Sequence, residues 1–187
     1  MIYDIIEKCR SYRRFDQSKK ISKETLISFV KSARVTASAA NLQKLRYSLF
    51  TEKNDLSRVF STLKFAGYLK DWDGPKEGER PTAYIVISSE NELNTLTAID
   101  LGIAAEAITL TAAEAGIGSC MFRSYDAKVI GELVGVEGMI PHLVICFGYP
   151  SERVILEDSK NKDIKYYRDK EDNHVVPKLP LDELILN

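Results

Sequence analysis

Histidine and tryptophan are scarce in this chain, at two residues and one, and only three cysteines occur among its 187 positions. Those cysteines, Cys9, Cys120 and Cys146, are odd in number, form no CxxC pair and have no histidine at ligand spacing. That arrangement argues against a disulfide framework and against a structural zinc site. Net charge is almost absent: 26 Lys and Arg stand against 27 Asp and Glu, for a formal charge of -1. A polyphosphate partner needs a strongly basic face, so nucleic acid is not expected and any anion site must be local. No repeat of roughly 20 to 50 residues is present, which sets solenoids and propellers aside. Long uninterrupted apolar runs are missing too. The most apolar stretch, Ala98 to Cys120, is broken by Asp100, Glu106 and Glu114, a pattern that excludes a simple membrane span. The opening MIYDIIEKCRSYRRF carries Asp4 and Glu7 within its apolar part and no small-residue cleavage site, so it does not read as a secretory signal. A reducing, cytoplasmic setting is the expectation.

What is present fits an ordinary globular chain. Hydrophobic residues make up 44% and charged residues 28%, and the length suits one substantial core, so residues 1–187 are read as one domain. Ile2, Ile5 and Ile6 give a first short helix. Ser22 caps a second helix that carries Leu26, Phe29, Val30 and Ala33 at helical spacing and runs to about Val35. A small-residue loop, Thr36 to Gln43, leads to a strand at Tyr47–Thr51. Leu56, Val59, Phe60 and Leu63 mark another amphipathic helix, followed by a charged, Gly- and Pro-containing excursion from Lys70 to Pro81. Tyr84–Ser88 and His142–Gly148 read as buried strands. Between them lies a long alanine-rich helix, which Gly116 is placed to stop in a left-handed conformation. Asp126 caps a further helix carrying Val129, Ile130 and Leu133. The charged tail from Ser151 must dock on something or stay mobile. Helices outnumber strands and do not alternate with them regularly, which favours an α+β sheet covered by helices over a doubly wound parallel sheet.

Three segments carry the candidate chemistry. Arg10-Ser11-Tyr12-Arg13-Arg14-Phe15 gathers guanidinium groups and a hydroxyl, a combination suited to phosphate because Arg presents a planar fork of donors. A solvated basic face after a helix is the plainer reading of the same residues. Thr36 to Gln43 places two amides, Asn41 and Gln43, behind a run of small side chains; such amides can match the edge of a pyrimidine-like ring, or can simply serve a turn and the surface. Gly116-Ile117-Gly118-Ser119-Cys120-Met121-Phe122-Arg123 follows a helix rather than a strand, so it is not a dinucleotide fingerprint, and a helix cap with a turn explains its glycines equally well. His142 and Cys120 are best read as structural, the latter as a small buried hydrophobe.

In this order and spacing the three segments resemble the nitroreductase family, in which Arg-Arg-Ser-x-Arg-x-Phe/Tyr precedes Pro-Ser-x-x-Asn-x-Gln-Pro-Trp and a long apolar helix ends in Gly-x-Gly-Ser. The resemblance extends through Cys146-Phe147-Gly148-Tyr149-Pro150 and covers most of the chain. It implies a three-layer α+β sandwich with a mostly antiparallel central sheet, an intertwined homodimer and two FMN sites built from both subunits. On that analogy Arg10, Ser11 and Arg13 hold the FMN phosphate and nearby oxygens, Ser38, Asn41 and Gln43 approach the flavin from the partner chain, and Met121 to Ser124 line one edge of the ring. The Arg123 backbone N–H is the candidate donor to the hydride-accepting nitrogen. A basic residue of the tail, about 151–187, completes the phosphate site; Arg168 is the first choice, with Lys165 and Lys178 as alternatives. The family chemistry is electron transfer from NAD(P)H through flavin to a small acceptor by a ping-pong scheme, with no protein acid or base needed. Arg13 or Lys44 can stabilise reduced flavin. Cys9 and Lys44-Leu45 depart from the family pattern, and the chain is short for the family. Ene reduction, dehalogenation or flavin fragmentation on the same fold, and a cofactor-free binding module, are the competing readings.

Overall fold

The computed structural model describes residues 1–186. Four strands, β1 (Arg46–Phe50), β2 (Ala83–Ser89), β3 (Gly118–Phe122) and β4 (Ile140–Gly148), pair antiparallel in the order β1-β2-β4-β3. Strands β2 and β4 are central and covered on both faces, so they show the near-continuous apolar runs seen in the sequence. The pleat then divides their side chains. Ala83, Ile85, Ile87, Leu143, Ile145 and Phe147 enter one core, and Tyr84, Val86, Val144 and Cys146 enter the other.

The first core is closed by α2 (Lys23–Arg34), through Leu26, Phe29 and Ala33, and by α4 (Thr95–Glu114), through Leu101, Ala104, Ala105, Ile108 and Ala112. The second is closed by α3 (Lys53–Thr62) and α5 (Ala127–Val134), whose Val59 and Ile130 are fully buried. The result is the helix–sheet–helix sandwich expected from the sequence. Caps fall where they were read: Ser22 Oγ accepts the Thr25 N–H at 3.2 Å, and the Asp126 carboxylate accepts from Lys128 and Val129. Past α4, Gly116 takes φ +71°, the left-handed turn that ends it.

Two parts depart from the sequence reading. Gly118–Phe122, read as a cap and turn, is the edge strand β3. The tail folds back on its own chain as a second sheet, with β5 (Val154–Asp158) parallel to β7 (His174–Lys178) and β6 (Tyr167–Arg168) antiparallel to β7. Two short helices, α1 (Ile2–Lys8) and α6 (Leu181–Leu184), bury no residue. Helix α4 is long and apolar enough to cross a membrane by length and composition, yet eight of its residues, Asp100 among them, are buried inside the fold.

Between α1 and α2 the chain lies along the β3–β4 edge. Tyr12 N–H donates to Ser119 O at 2.9 Å, Ser11 bridges Ser119, and Phe15 bridges Pro150 and is fully buried. Two paired glycines allow that approach. A Cβ on Gly148 would stand 2.6 Å from the Phe15 ring, and one on Gly118 would stand 2.7 Å from Pro150 and 2.8 Å from Tyr12. Gly148→Ala is therefore expected to destabilise the fold by about 1–3 kcal/mol, as overpacking does. Urea unfolding checks this, and an unchanged midpoint would mean that Phe15 can move away freely.

Candidate functional site

Segment 10–15, seated on the sheet edge, supplies one wall of a cavity of about 300 Å³, lined by Cys9, Arg10, Ser11, Arg13, Tyr166, His174, Val176 and Lys178. Three cations face it and no carboxylate does. Arg10 Nη2 donates to Ile6 O at 2.7 Å, while its buried Nε has no protein partner. Arg13 is 9% exposed and donates through Nη1 to Ser11 O at 3.1 Å and to His174 Nε2 at 2.8 Å. A guanidinium only donates, so His174 Nε2 must accept and the ring proton must sit on Nδ1. Burial, with the Arg13 charge beside it, pushes the His174 pKa down to about 4. The histidine is thus a neutral acceptor that orients Arg13. Burial raises the Cys9 thiol, so it lines the cavity in protonated form.

The tail is held against this segment by Glu152, whose side chain is 2% exposed. Its Oε1 accepts the backbone N–H groups of Arg13 and of Arg14, the latter at 3.1 Å, and its Oε2 pairs with Arg168 at 2.7 Å. Arg14 in turn pairs with Asp172. Rings extend the clamp: Arg13 lies 4.8 Å from the Tyr166 centroid, and Arg14 and Arg168 lie 5.7 and 5.3 Å from that of Trp72. Arg168, the first choice from sequence for the anion cavity, does not line it and is spent on Glu152; Lys178, the alternative, does line it. Lys165 is exposed and outside the lining.

The second segment lies elsewhere in the chain. Ser38, Gln43 and Lys44, with Arg34, Tyr47 and Asp100, line a cavity of about 260 Å³ between α2, α4 and β1 that shares no residue with the first. Its loop is held from below, where Asp100 accepts the Ala39 N–H at 2.9 Å. Ala40, Asn41 and Gln43 all take positive φ, at 49°, 54° and 48°. Such left-handed non-glycine residues are uncommon, and a cluster of them is a pointer to a binding loop. Asn41 and Gln43 are exposed, and Ser38 Oγ is buried without a partner. Arg13 and Lys44, the two sequence candidates for a cation beside a reduced ring, are therefore in separate cavities of one chain.

The third segment sits on the same sheet edge as Ser11. Met121 is 39% exposed on β3, and Arg123 Nη1 donates to His142 O at 2.9 Å, tying the end of β3 to β4. His142 is buried with Nε2 2.8 Å from Ser89 Oγ, and Cys120 is buried and packs with Cys146 in the α3–α5 core. Sequence reasoning missed Glu152, His174 and Tyr166, all in the tail. It met Asp100 only as an interruption of an apolar run.

The His174 geometry fixes a pH dependence. Its folded pKa lies below the unfolded value of about 6.5, so protons favour the unfolded chain. Its contribution is complete above about pH 6.5 and is lost as pH falls toward 4, at up to about 1.4 kcal/mol per unit. His142 is shifted down by burial as well and acts in the same direction. The difference between wild type and His174→Gln in urea stability, followed from about pH 7 to 4, isolates His174: the variant should show the shallower loss, and parallel curves would mean that His174 titrates alike in the folded and unfolded chains.

The sequence profile of the nitroreductase family matches residues 6–149, well over half of the chain. Among solved structures the chain is similar to a nitroreductase family protein from Streptococcus pneumoniae TIGR4, with TM-score 0.72 at 16% identity and 100% of each chain covered. It is also similar to an FMN-dependent nitroreductase from Clostridium difficile R20291, with TM-score 0.63 at 23% identity over 89% of this chain and 97% of that one. A third similar fold is CLA-ER, an enone reductase of gut-bacterial fatty acid saturation metabolism, with TM-score 0.68 at 14% identity over 86% and 93% of the two chains. At these identities the likeness is one of fold. No curated protein sequence matches. From the profile match and the sandwich described above, the chain belongs to the nitroreductase family.

Proposed function

We propose that this protein is an FMN-dependent oxidoreductase, acting as a homodimer whose flavin sites each draw residues from both copies, with residues 1–187 as one FMN-binding unit. The observation that carries this reading is the cavity of Arg10, Ser11, Arg13 and Lys178: three cations, a hydroxyl, a buried Arg10 Nε without a partner and no lining carboxylate. That donor set fits a phosphate ester. Lys178 takes the part for which sequence named Arg168 first.

When bound, FMN supplies electron transfer from NAD(P)H to a small organic acceptor, such as a nitro compound or quinone, in two ping-pong half-reactions. The protein's share is binding, orientation and charge. Arg10, Arg13 and Lys178 hold the phosphate end, with Arg13 fixed in place by neutral His174. Met121 and Arg123, at the end of the strand against which Ser11 rests, flank the ring in this reading. Ser38 and Gln43 line a different cavity in the same chain, with exposed Asn41 on the same loop, so in this reading the three serve the site of the partner.

An apolar surface supports the dimer. Helix α4 is buried on one side, yet Leu96, Ile99 and Ile103 on its other side are 58%, 54% and 40% exposed, and Ile2, Tyr3 and Ile6 of neighbouring α1 are 64%, 64% and 40% exposed. A helix apolar all round requires cover on both faces. Light scattering at micromolar concentration should give a dimer, and Ile99→Glu should shift it to monomer with loss of bound flavin. A wild-type monomer that binds FMN would sink the shared-site reading.

The purified protein should be yellow and release FMN on denaturation. Arg13→Ala and Lys178→Ala should each weaken FMN by at least about tenfold, roughly 1.4 kcal/mol or more, in a fluorescence-quenching titration. Unchanged affinity would remove that residue from the site, and a colourless wild type that ignores added FMN would favour a cofactor-free module.

A further inference from the structure

A cavity of about 410 Å³ opens on the α3 side of the sheet, between the first turns of α3 and the entry to β2, and shares no lining residue with either cavity above. Its walls carry Lys20, Lys53 and Arg80 against a single carboxylate, Glu77. None of these four side chains forms a salt bridge among the described residues; Lys20 Nζ donates only to Gln17 O, at 3.3 Å. Arg80 is held with its guanidinium 4.5 Å from the Phe60 ring centroid, and its Nε is buried without a hydrogen-bond partner.

Tyr84 lines the same cavity. It is 0% exposed, yet its hydroxyl has no protein partner. Leaving a buried hydroxyl unsatisfied is costly, and a phenylalanine would fill the same core space without that cost. Burial holds the phenol well above its usual pKa, so the group keeps its proton and is a donor. A buried phenol donor and a stacked, unpaired guanidinium therefore meet in a cation-rich cavity of small-ligand size.

We propose that this cavity is a second anion site, binding the carboxylate or phosphate group of a small organic molecule between Arg80 and the Tyr84 hydroxyl, with Lys20 and Lys53 at its rim. Arginine suits either oxyanion through two parallel donors, and the hydroxyl satisfies a further oxygen. The site is independent of the flavin reading, because it lies on the other side of the sheet from the α2–α4 cavity and none of its residues belongs to the Arg10–Lys178 cradle.

The test is isothermal titration of the protein, with FMN added in excess, against inorganic phosphate and separately against succinate. Tyr84→Phe, Arg80→Met and, as control, Arg10→Ala are titrated alongside, with circular dichroism confirming that each variant folds. The expected result is binding of at least one probe, weakened tenfold or more by Tyr84→Phe and by Arg80→Met and retained by Arg10→Ala. Stronger phosphate binding assigns the site to phosphate esters, and stronger succinate binding assigns it to carboxylates. Failure of both probes to bind overturns the proposal. So does binding that survives both cavity substitutions or disappears with Arg10→Ala, since the anion would then sit in the flavin-phosphate cradle. A Tyr84→Phe variant that melts higher and binds the probe like wild type would make the hydroxyl a tolerated core defect and also overturn it.

Discussion

The Glu152 carboxylate is the constraint on which the candidate site depends. It accepts two consecutive backbone N–H groups from the arginine segment and pairs with Arg168 of the tail, all from a side chain that is 2% exposed. A charge so enclosed is tolerated only when its partners are all in place, and removing one of them strands the rest. The consequence is geometric. Arg13 is fixed at its backbone by Glu152 and at its guanidinium by His174, while β7, which carries both His174 and Lys178, is seated by the same clamp. A tail that is mostly polar thereby becomes a structural wall. Its stability comes from satisfied charges and stacked rings as well as from the apolar contacts of Val175.

The α+β sandwich was legible because its signals are local. Short, near-continuous apolar runs marked the two central strands, and Ser22, Asp126 and Gly116 marked helix ends within a residue or so. Edge strand β3 was not legible: its five residues follow a helix cap directly, and glycine and serine at its start mimic a turn. The tail sheet was not legible either. Its strands are short, β6 having only two residues, and they are defined by pairing with β7 rather than by pattern. For the site, the clusters at residues 10–15 and 38–43 stood out because unusual side chains are adjacent in sequence. Glu152 and His174 carry no such mark, as their importance lies wholly in what they meet after folding. The choice among tail cations shows this: Arg168 and Lys178 look equivalent as letters, and only the position of Glu152 separates them.

The two cavities that the sequence analysis joined into one site are separate within a chain, and each is incomplete for a flat, phosphorylated ligand. One offers cations and a neutral imidazole; the other offers the Gln43 amide on a left-handed loop, held from below by Asp100. An uncovered apolar face runs along α1 and α4. On the shared-site reading these facts have one cause, since a surface that recruits a second copy also brings the missing half of the ligand's contacts. The departures at Cys9 and Lys44 fall one in each cavity. Neither places a carboxylate where an anion would go.

The seat of the arginine segment also has a consequence in time. Arg13 and Glu152 are 139 residues apart, and the glycine pair that admits Tyr12 and Phe15 comes from strands β3 and β4. During synthesis the N-terminal segment emerges first, yet almost nothing it will rest on exists until most of the chain has followed. Closing so long a loop must precede any gain from the contact. By that cost the cation cradle forms late, after the sandwich that supports it, and a chain interrupted shortly before Glu152 would hold nearly all of the family's core without the carboxylate that clamps Arg13 and Arg14.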